Sequence, residues 1–396
     1  MSTRRELLGL LAVGAALPFA GCASRPAPPR GTGTLGVIIE RSNGALTIVD
    51  TQQRVALGRV EGLGDLSHAS VVFSRDGAVA YVFGRDGALT MVDLPGQRIV
   101  ERVMQAGNSI GGAISQDGSL VAAQNYQPGG VKVFDARTLE LVADLPAEYA
   151  PGRRSRVVGL VDLPGQRFAY SLFDADAVWI ADLSEPAKPR LTKFPGIGRQ
   201  PYDALVTPDG RHYIAGLFGE DGLALLDLWQ AQPVPRRILG GYGRGEAPLP
   251  VYKMPHLRGW AVAGRHAYLP AIGRHEVLVV DTASWEQLAR IGVAGQPVFV
   301  MARPDGRQVW VNFAVPDYGR VQVIDTLTRQ VVRTLEPGRA VLHMEFTPRS
   351  DTVWISCRDD NVVRVIDTAS FATLASLPVD APAGIFFTTR ASRMGM

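Results

Sequence analysis

Short runs of apolar residues alternate with turn residues along almost the whole chain, and many of the runs end in an aspartate. Residues 89–93 read Leu-Thr-Met-Val-Asp, and residues 277–281 read Val-Leu-Val-Val-Asp. These aspartates recur at intervals of 42 to 54 residues, at Asp50, Asp93, Asp135, Asp182, Asp227, Asp281, Asp325 and Asp367. A period in the low forties, built from β-branched runs, is typical of four-stranded propeller blades. The pattern therefore predicts an all-β chain.

Tight turns separate the first two strands of most repeats. Each turn contains a glycine dipeptide, namely Asp76-Gly77, Asp117-Gly118, Pro164-Gly165, Asp209-Gly210 and Asp305-Gly306. Glycine and aspartate accept the backbone angles that a tight hairpin requires. We therefore interpret the aspartates of these turns as structural residues and not as catalytic ones.

The two ends of the chain determine the number of blades. Residues 35–60 supply three strands but lack the first strand of a blade, whereas residues 382–389 resemble a first strand with no strand after it. Pairing of this last strand with the first three would close the ring without an open sheet edge. We predict an eight-bladed β-propeller over residues 35–396, closed in this way, with a central channel lined by the first strand of every blade.

Composition agrees with this fold and excludes two classes of partner. Apolar residues make up 46% of the chain and charged residues 20%, and the 43 glycines and 27 prolines suit many short strands joined by turns. The net charge is only +3 and no long run of Lys or Arg occurs, so neither nucleic acid nor an electrostatically held membrane surface is expected as a partner.

The N-terminus has the pattern of an export signal. Arg4 and Arg5 precede an uncharged apolar stretch that is too short to span a membrane. Residues 19–22, Phe-Ala-Gly-Cys, resemble a bacterial lipobox, which predicts a signal peptide over residues 1–21, an acylated Cys22 and a flexible tether over residues 22–34. The paired arginines also resemble a twin-arginine signal. An ordinary secretory peptide cut near Ala20 is the alternative.

Cys357 is the one cysteine left after Cys22, so no disulfide can form within the exported domain. No Cys-x-x-Cys-His sequence occurs, which excludes covalent attachment of a c-type haem. The stability of the domain must therefore come from apolar burial and strand pairing.

Polar residues recur near the predicted start of the innermost strands. Counting back nine residues from the turn glycines gives His68, Ser109, Arg156, Pro201, Pro255 and Pro297, and Tyr202 and His256 each come one residue later in the chain. His343 lies at about the same level in the last full blade. The other histidines, His212, His266 and His275, are interpreted as ordinary surface residues.

Arg153, Arg154 and Arg156 form an arginine group beside this predicted rim. Guanidinium groups pair bidentately with carboxylates, so these residues suit a ligand with several carboxylates. A solvated loop is the alternative interpretation.

One stretch of the chain resembles a known family. Residues 64–68, Gly-Asp-Leu-Ser-His, together with residues 74–77 and 82–93, are similar to the segment of cytochrome cd1 nitrite reductase that carries the proximal histidine of haem d1. Residues 125–128, 156–158, 202–203 and 254–256 agree with further segments of that propeller in the same order. The chain lacks the c-type haem domain, and Tyr202 replaces one of two distal histidines. These features are similar to the NirF family of haem d1 biosynthesis proteins.

The resemblance implies a ligand and a set of site residues. It implies haem d1, its dihydro form or an earlier iron tetrapyrrole precursor as ligand, with His68 as axial ligand to the iron. Ser109, Asn125, the arginine group and His343 would bind the macrocycle, and Tyr202, Asp203 and His256 would act as acid or base on its opposite face. Nitrite reduction by this chain is not expected.

Two functional classes remain open at the level of sequence. The first is a periplasmic, membrane-anchored enzyme that performs or assists a late modification of the macrocycle. The second is a non-catalytic protein that holds the cofactor and delivers it to cytochrome cd1 nitrite reductase, with other haem d1 assembly proteins and a homodimer as further partners. A pure interaction scaffold and a sugar-acid lactonase are more distant alternatives.

Overall fold

The alternating apolar residues form four-stranded antiparallel sheets throughout residues 31–241 and 260–394, which the computed structural model describes. Eight such sheets follow one another along the chain, and the first strands of neighbouring sheets contact each other. The predicted eight-bladed β-propeller is thereby confirmed, with the first strand of each blade innermost.

The first four blades contain the strands up to Pro195. Blade 1 contains β1 (Leu35–Glu40), β2 (Ala45–Asp50) and β3 (Val55–Val60), and blade 2 contains β4 (Ser70–Phe73), β5 (Val79–Phe83), β6 (Ala88–Asp93) and β7 (Arg98–Met104). Blade 3 contains β8 (Asn108–Ile114), β9 (Leu120–Gln127), β10 (Gly130–Asp135) and β11 (Leu141–Leu145). After the hairpin of β12 (Glu148–Ala150) and β13 (Arg153–Arg154), blade 4 contains β14 (Val157–Leu163), β15 (Arg167–Leu172), β16 (Ala177–Asp182) and β17 (Arg190–Pro195).

The last four blades contain the strands from Pro201 onwards. Blade 5 contains β18 (Pro201–Val206), β19 (His212–Leu217), β20 (Leu223–Asp227) and β21 (Arg236–Ile238), and blade 6 contains β22 (Ala261–Ala263), β23 (His266–Ala271), β24 (Glu276–Asp281) and β25 (Gln287–Gly292). Blade 7 contains β26 (Pro297–Ala302), β27 (Gln308–Phe313), β28 (Val321–Asp325) and β29 (Gln330–Leu335). Blade 8 contains β30 (Val341–Phe346), β31 (Thr352–Cys357), β32 (Val362–Asp367) and β33 (Thr373–Pro378), and β34 (Pro382–Phe387) follows it.

Short 3-10 helices make up the remaining regular structure of the described residues. They span Thr32–Thr34, Ile272–Arg274, Arg358–Asp360 and Thr388–Ser392. None of the helices in this part of the chain is both long and apolar enough to cross a membrane.

The ring closes in blade 1 by pairing of the two ends of the chain. The C-terminal strand β34 lies antiparallel to β1, with Ile385 opposite Ile38 and Phe387 opposite Gly36. A side chain at Gly36 would collide with the ring of Phe387, since an added Cβ would lie 2.6 Å from it. The predicted closure is confirmed, and the C-terminal strand supplies the innermost position of blade 1.

The repeated aspartates stabilise the turn between the third and fourth strand of each blade. The Oδ1 atom of Asp50 accepts hydrogen bonds from the backbone N–H groups of Gln52 and Gln53, at 2.9 and 2.7 Å. Asp281 and Asp367 bind the turns of their own blades in the same way. Such side-chain turns are typical of aspartate, which explains the repeat and gives these residues a structural role.

Hydrophobic side chains fill the space between neighbouring blades. Each of the eight blade interfaces in the described chain holds its own cluster of buried apolar residues. The largest fully buried side chains are Trp310 and Trp354, which pack at the interfaces of blades 7 and 8 and of blades 8 and 1. Because burial is spread around the ring, the inner strands are held as a rigid scaffold around the channel.

A β-bulge recurs near the start of the innermost strands. In blade 5, Pro201 of β18 pairs with Leu217 of β19, and Ala204 pairs with Ala215. Between these two pairs, β18 contains one residue more than β19. The same irregularity occurs in blades 1, 4, 7 and 8. A bulge redirects side chains out of the regular alternation. In blade 5 the two residues inside the bulge are Tyr202 and Asp203.

The C-terminal segment crosses the lower face of the ring, which we define as the face where the inner strands end. The Arg390 guanidinium pairs with Glu345 of blade 8, and Arg75 of blade 2 donates to the carbonyl oxygen of Ala391. Met394 packs against the apolar cluster between blades 4 and 5. The segment therefore reaches from one side of the ring to the other at this face, whereas the upper face is the one where the inner strands begin.

Candidate functional site

His68 lies on the upper face, in the loop that leads into β4, and it is exposed. Two hydrogen bonds to Asp65 fix the loop just ahead of His68. The backbone N–H of Ser67 donates to Asp65 Oδ1 at 2.8 Å, and the backbone N–H of Arg85 donates to the Asp65 carbonyl oxygen at 2.8 Å. The predicted axial ligand is therefore accessible at the rim of the channel on a well-anchored loop.

Ser109 and Asn125 are buried inside blade 3. The Ser109 hydroxyl donates to the Gln124 carbonyl oxygen at 2.7 Å. The Asn125 amide exchanges two hydrogen bonds of 2.9 Å with the Gln105 amide, and both side chains are almost inaccessible. The role of these residues in binding a cofactor stays a prediction, and in this structure their polar atoms stabilise the sheet.

Arg156 is the first residue ahead of β14, and it is already paired with a carboxylate. Its Nε and Nη2 atoms donate to the two oxygens of Asp174 at 3.0 and 2.6 Å, and its backbone N–H donates to Asp174 at 2.9 Å. Burial pushes the pKa of Asp174 upward, but the hydrogen bonds and charge of Arg156 outweigh it and hold this pKa below its ordinary value. Arg156 therefore brings little net charge to the site.

A cluster of aromatic side chains lies at the upper face, between blades 3 and 5. The Phe173 ring lies 5.8 Å from the Tyr202 ring and 5.6 Å from the Phe218 ring, measured between centroids. The guanidinium carbon of Arg156 lies 4.2 Å above the Phe173 ring. Aromatic faces and guanidinium planes offer flat, apolar contact to another planar ring system.

Tyr126 of blade 3 and Tyr202 of blade 5 are joined by a hydrogen bond between their hydroxyl groups. Burial, reinforced by the neighbouring Tyr202, raises the pKa of the Tyr126 phenol. The Arg85 guanidinium carbon lies 5.8 Å from the Tyr126 ring centroid, on the side of the His68 loop. The phenol pair therefore links blade 5, which carries Tyr202, to blade 3. Blade 3 is the neighbour of blade 2, into which the His68 loop leads.

Gly159 brings the inner strands of blades 4 and 5 close enough for this contact. It adopts a φ of +61°, and a Cβ atom there would lie 2.7 Å from the Tyr202 carbonyl oxygen and 2.9 Å from the Ala204 nitrogen. Backbone atoms cannot yield to such an atom, so a side chain at this position would force β18 away from β14.

A cleft of about 890 Å³ opens beside the aromatic cluster, between the β12–β13 hairpin and blades 4 and 5. Its lining includes Arg153, Arg154 and Arg199, together with Tyr149 and Phe173. The Arg153 guanidinium carbon lies 5.0 Å from the centroid of the Tyr149 ring. The Nη2 atom of Arg199 donates to the Gly219 carbonyl oxygen at 2.6 Å. None of these three guanidinium groups is paired with a carboxylate in the described chain.

Carboxylates on the upper face anchor the loops that carry the arginines. Asp174, Glu220 and Asp360 each follow the second strand of a blade, and each accepts a hydrogen bond from the backbone N–H of an arginine of the same blade. The three distances are 2.9, 2.7 and 2.7 Å, to Arg156, Arg199 and Arg339 in that order. The loops ahead of these inner strands are therefore held in defined positions at the rim.

His343 lies deeper in the channel than the sequence predicts. The residue of β30 that matches Pro297 of β26 in strand register is Val341, which is two residues closer to the rim. The His343 ring stacks on Phe386 with centroids 5.5 Å apart, and its Nδ1 accepts from the Ile385 backbone N–H at 3.3 Å. Burial, with a contribution from Arg390, lowers the pKa of His343 to about 3, so the imidazole is neutral.

The predicted acid–base residues are only partly described. Tyr202 and Asp203 occupy the bulge of β18 and are half-buried, and one Asp203 oxygen accepts from the Ala204 backbone N–H at 3.0 Å. His256 lies outside the described residues. The structure thus brings Tyr202 together with Arg156 at the aromatic cluster, while Arg153 and Arg154 line the adjacent cleft.

Sequence reasoning assigned no role to Arg199, Tyr149, Phe218 or Tyr126. One signal could have identified the first of these. An arginine stands two residues ahead of the first paired residue of the bulge in three blades, in Arg156-Val157-Val158, Arg199-Gln200-Pro201 and Arg339-Ala340-Val341. The aromatic residues carry no comparable pattern, because different strands of several blades contribute them.

Comparison with known proteins defines the class to which this propeller belongs. Residues 30–391 match the family model described as Cytochrome D1 heme domain. In the solved structure of the dihydro-heme d1 dehydrogenase NirN in complex with DHE, the similar region covers 95% of this chain and 79% of that one, with a TM-score of 0.81 and 25% identity. The fold is therefore that of a d1-haem propeller domain.

Two relatives narrow this class to one family. The chain is 60% identical over 394 residues to Protein NirF of Stutzerimonas stutzeri, which covers 99% of this chain and 100% of that protein. It is 61% identical over 380 residues to Protein NirF of Pseudomonas aeruginosa, with 96% and 97% covered. The chain belongs to the NirF family. This membership and the likeness to NirN support a role in haem d1 biosynthesis.

Proposed function

We propose that this chain binds dihydro-haem d1 or an earlier iron tetrapyrrole precursor on its upper face and acts there in late maturation of the cofactor. The observation that carries the proposal is the combination, on the upper face, of an exposed histidine, an aromatic cluster and three guanidinium groups that pair with no carboxylate of residues 31–241 and 260–394. The solved structure of NirN in complex with DHE has the same fold, which supports a ligand of this class.

The residues of the upper face fit an iron tetrapyrrole in size and chemistry. The cleft volume lies within the range of small-molecule sites, which is about 300–1,000 Å³. The aromatic cluster offers apolar area to the face of the ring, and the arginines of the cleft suit its ionised carboxylates. A neutral imidazole is a common ligand of such iron, which suits His68.

The proposed role of each residue follows from its position. His68 ligates the iron from the side of blade 2, and Arg153, Arg154 and Arg199 bind carboxylates at the side of blades 4 and 5. Tyr202 and Asp203 lie on the bulge of β18, where Tyr202 packs against Phe173 and Phe218 of the aromatic cluster. They are therefore placed to hold or move a proton at the macrocycle, with His256 as a third candidate.

Titration of the purified protein with dihydro-haem d1, followed by absorption spectroscopy, tests the proposal. The wild-type protein is expected to shift the ligand spectrum, because an axial imidazole changes the electronic state of the iron. His68→Ala is expected to lose this shift while weaker binding through the rest of the site remains. His266→Ala, at the lower face where the second strand of blade 6 begins, serves as the control. An unchanged wild-type spectrum would remove the basis of the proposal.

We also propose that the protein is exported and anchored in the membrane by acylated Cys22, from which the tether leads to the propeller. The lipobox-like residues 19–22 support this, and they lie outside the described residues. Cys22→Ser is expected to move the protein from the membrane fraction to the soluble periplasmic fraction, because one anchoring site is lost. Equal membrane retention of the variant would contradict the anchor.

A further inference from the structure

The hydrogen bond between Tyr126 and Tyr202 spans two blades that are not neighbours in the ring. Tyr126 belongs to β9 of blade 3, whereas Tyr202 belongs to β18 of blade 5, and the inner strand of blade 4 lies between them. This contact is available only because Gly159 lets β18 approach β14 closely. The chain thus builds a specific polar contact across a whole blade, at the place where the ligand is proposed to bind.

The surroundings of the pair fix both rings but leave their hydroxyl groups at the site. The Tyr202 ring packs against Phe173 at 5.8 Å and Phe218 at 6.2 Å, which sets the plane of the ring. Both tyrosines are half-buried, so one side of each remains accessible. Ring packing alone does not fix the direction of an O–H bond, which rotates to suit its partner. A hydrogen-bonding neighbour supplies that direction.

We propose that Tyr126 is a positioning residue that orients the Tyr202 hydroxyl toward the bound tetrapyrrole. This inference rests on the proposed function, in which Tyr202 holds or moves a proton. Tyr126 keeps the Tyr202 oxygen at a defined place, and it fixes which lone pair or proton of that hydroxyl faces the ligand. Tyr126 itself need not touch the macrocycle.

Burial keeps the Tyr126 phenol neutral although two arginines lie near the pair. Arg85 lies over the Tyr126 ring, and Arg156 lies over the neighbouring Phe173 with its charge offset by Asp174. Burial disfavours ionisation of Tyr126. The hydrogen bond therefore involves a neutral Tyr126 phenol, and either hydroxyl group can be its donor.

A double-mutant cycle tests the inference. Tyr126→Phe and Tyr202→Phe each keep the ring and remove one hydroxyl group. With dihydro-haem d1 as substrate and an added two-electron acceptor, each single variant is expected to lower the initial rate of haem d1 formation by about tenfold or more, as loss or misplacement of an acid–base group does. Their affinity for dihydro-haem d1 is expected to stay within about threefold of the wild type, because the apolar contacts remain. The double variant is expected to be no slower than Tyr202→Phe alone.

Tyr268→Phe is the matched control, since Tyr268 packs in the apolar cluster between blades 6 and 7 and its hydroxyl donates to the Thr326 carbonyl oxygen, outside the proposed site. It is expected to leave the rate unchanged. Ultraviolet resonance Raman of the ligand-free protein provides a second measurement, because the tyrosine Fermi doublet reports hydrogen bonding of a phenol. Tyr126→Phe should change the doublet of the remaining partner, whereas Tyr268→Phe should remove one signal without that change.

The outcomes separate this inference from the proposed function. If the wild type does not bind the tetrapyrrole, the proposed function is wrong, while the Raman comparison still decides whether the two phenols are coupled. If Tyr126→Phe forms haem d1 at the wild-type rate, or if the two single effects multiply in the double variant, Tyr126 does not act through Tyr202 and the inference is overturned.

Discussion

Replacement of Arg390 with glutamine is expected to lower the free energy of unfolding by about 3–5 kcal/mol. The Arg390 guanidinium forms two hydrogen bonds to the Glu345 carboxylate, one of them 2.8 Å long, and the two side chains are only 13% and 5% exposed. Loss of the cation leaves a buried carboxylate without a partner. The pair also ties the C-terminal segment to blade 8, and this segment follows directly on the strand that closes the ring.

Equilibrium denaturation in urea measures this effect, and an exposed ion pair supplies the control. Arg265 pairs with Asp281 at 2.8 Å, but its side chain is 72% exposed. Arg265→Gln is expected to cost at most about 1 kcal/mol, because water screens exposed pairs. Equal costs for Arg390→Gln and Arg265→Gln would show that the C-terminal pair does not hold the ring closed.

A second variant distinguishes a buried charge from a lost contact. Exchange of both partners for apolar residues of similar size, Glu345→Leu with Arg390→Met, is expected to restore most of the lost stability, because no charge is then left buried. Binding of dihydro-haem d1 by the folded variants should be unchanged, since the pair lies at the lower face of the ring. Reduced binding in every variant would instead link the C-terminal segment to the site.

The fold could be predicted from the sequence because its determinants are local. The Asp50 carboxylate binds the backbone two and three residues further on, and the same short-range turn recurs in every repeat. The glycine turns act over similarly short distances. Closure by the C-terminal strand is a long-range contact, but it followed from a missing first strand at one end and a surplus strand at the other.

The levels of the site residues were harder to predict than the blades, because the distance from the rim to the first turn varies between blades. Counting back nine residues from the turn reaches the first paired residue of the bulge in blades 5, 7 and 8. In blade 4 the same count reaches Arg156, which lies two residues ahead of the corresponding Val158 and just outside the strand. His343 stands two residues after Val341, the residue that the count reaches in blade 8, so it lies deeper than the rim, where Phe299 and Phe386 surround it.

The division of roles among the arginines depends on pairing that the sequence does not reveal. Arg156 stands next to Arg153 and Arg154 in the chain, yet it is neutralised by Asp174, which comes from the turn after the second strand of the blade. Arg199 is more than forty residues away from the group but lines the same cleft. Only the arrangement of blades 4 and 5 shows which guanidinium groups remain available for a ligand.

The variant in which Arg153, Arg154 and Arg199 are all replaced with glutamine is expected to bind dihydro-haem d1 about 100-fold more weakly. Each exposed ion pair with a ligand carboxylate contributes about 1 kcal/mol, and three of them correspond to about two orders of magnitude in the dissociation constant. Added salt should weaken the wild-type complex more than the variant complex, because screening acts on the charges that the variant lacks.

The control for this variant removes the same charge elsewhere on the propeller. Arg98, Arg190 and Arg307 are all exposed and lie on outer strands or at the lower face. Their replacement with glutamine also lowers the net charge by three, from the value of +3 for the whole chain to zero. It is expected to leave the affinity within about threefold of the wild type, because charges more than about 10 Å from the ligand are largely screened.

A ligand whose carboxylates are esterified completes the comparison. If the cleft arginines recognise carboxylates, the wild type should bind the ester about 100-fold more weakly than the free acid, whereas the triple variant should bind both forms equally. The loss on the protein side and the loss on the ligand side then describe one interaction, since removal of either partner abolishes it. If the triple variant still prefers the free acid by the wild-type factor, other residues of the upper face recognise the carboxylates.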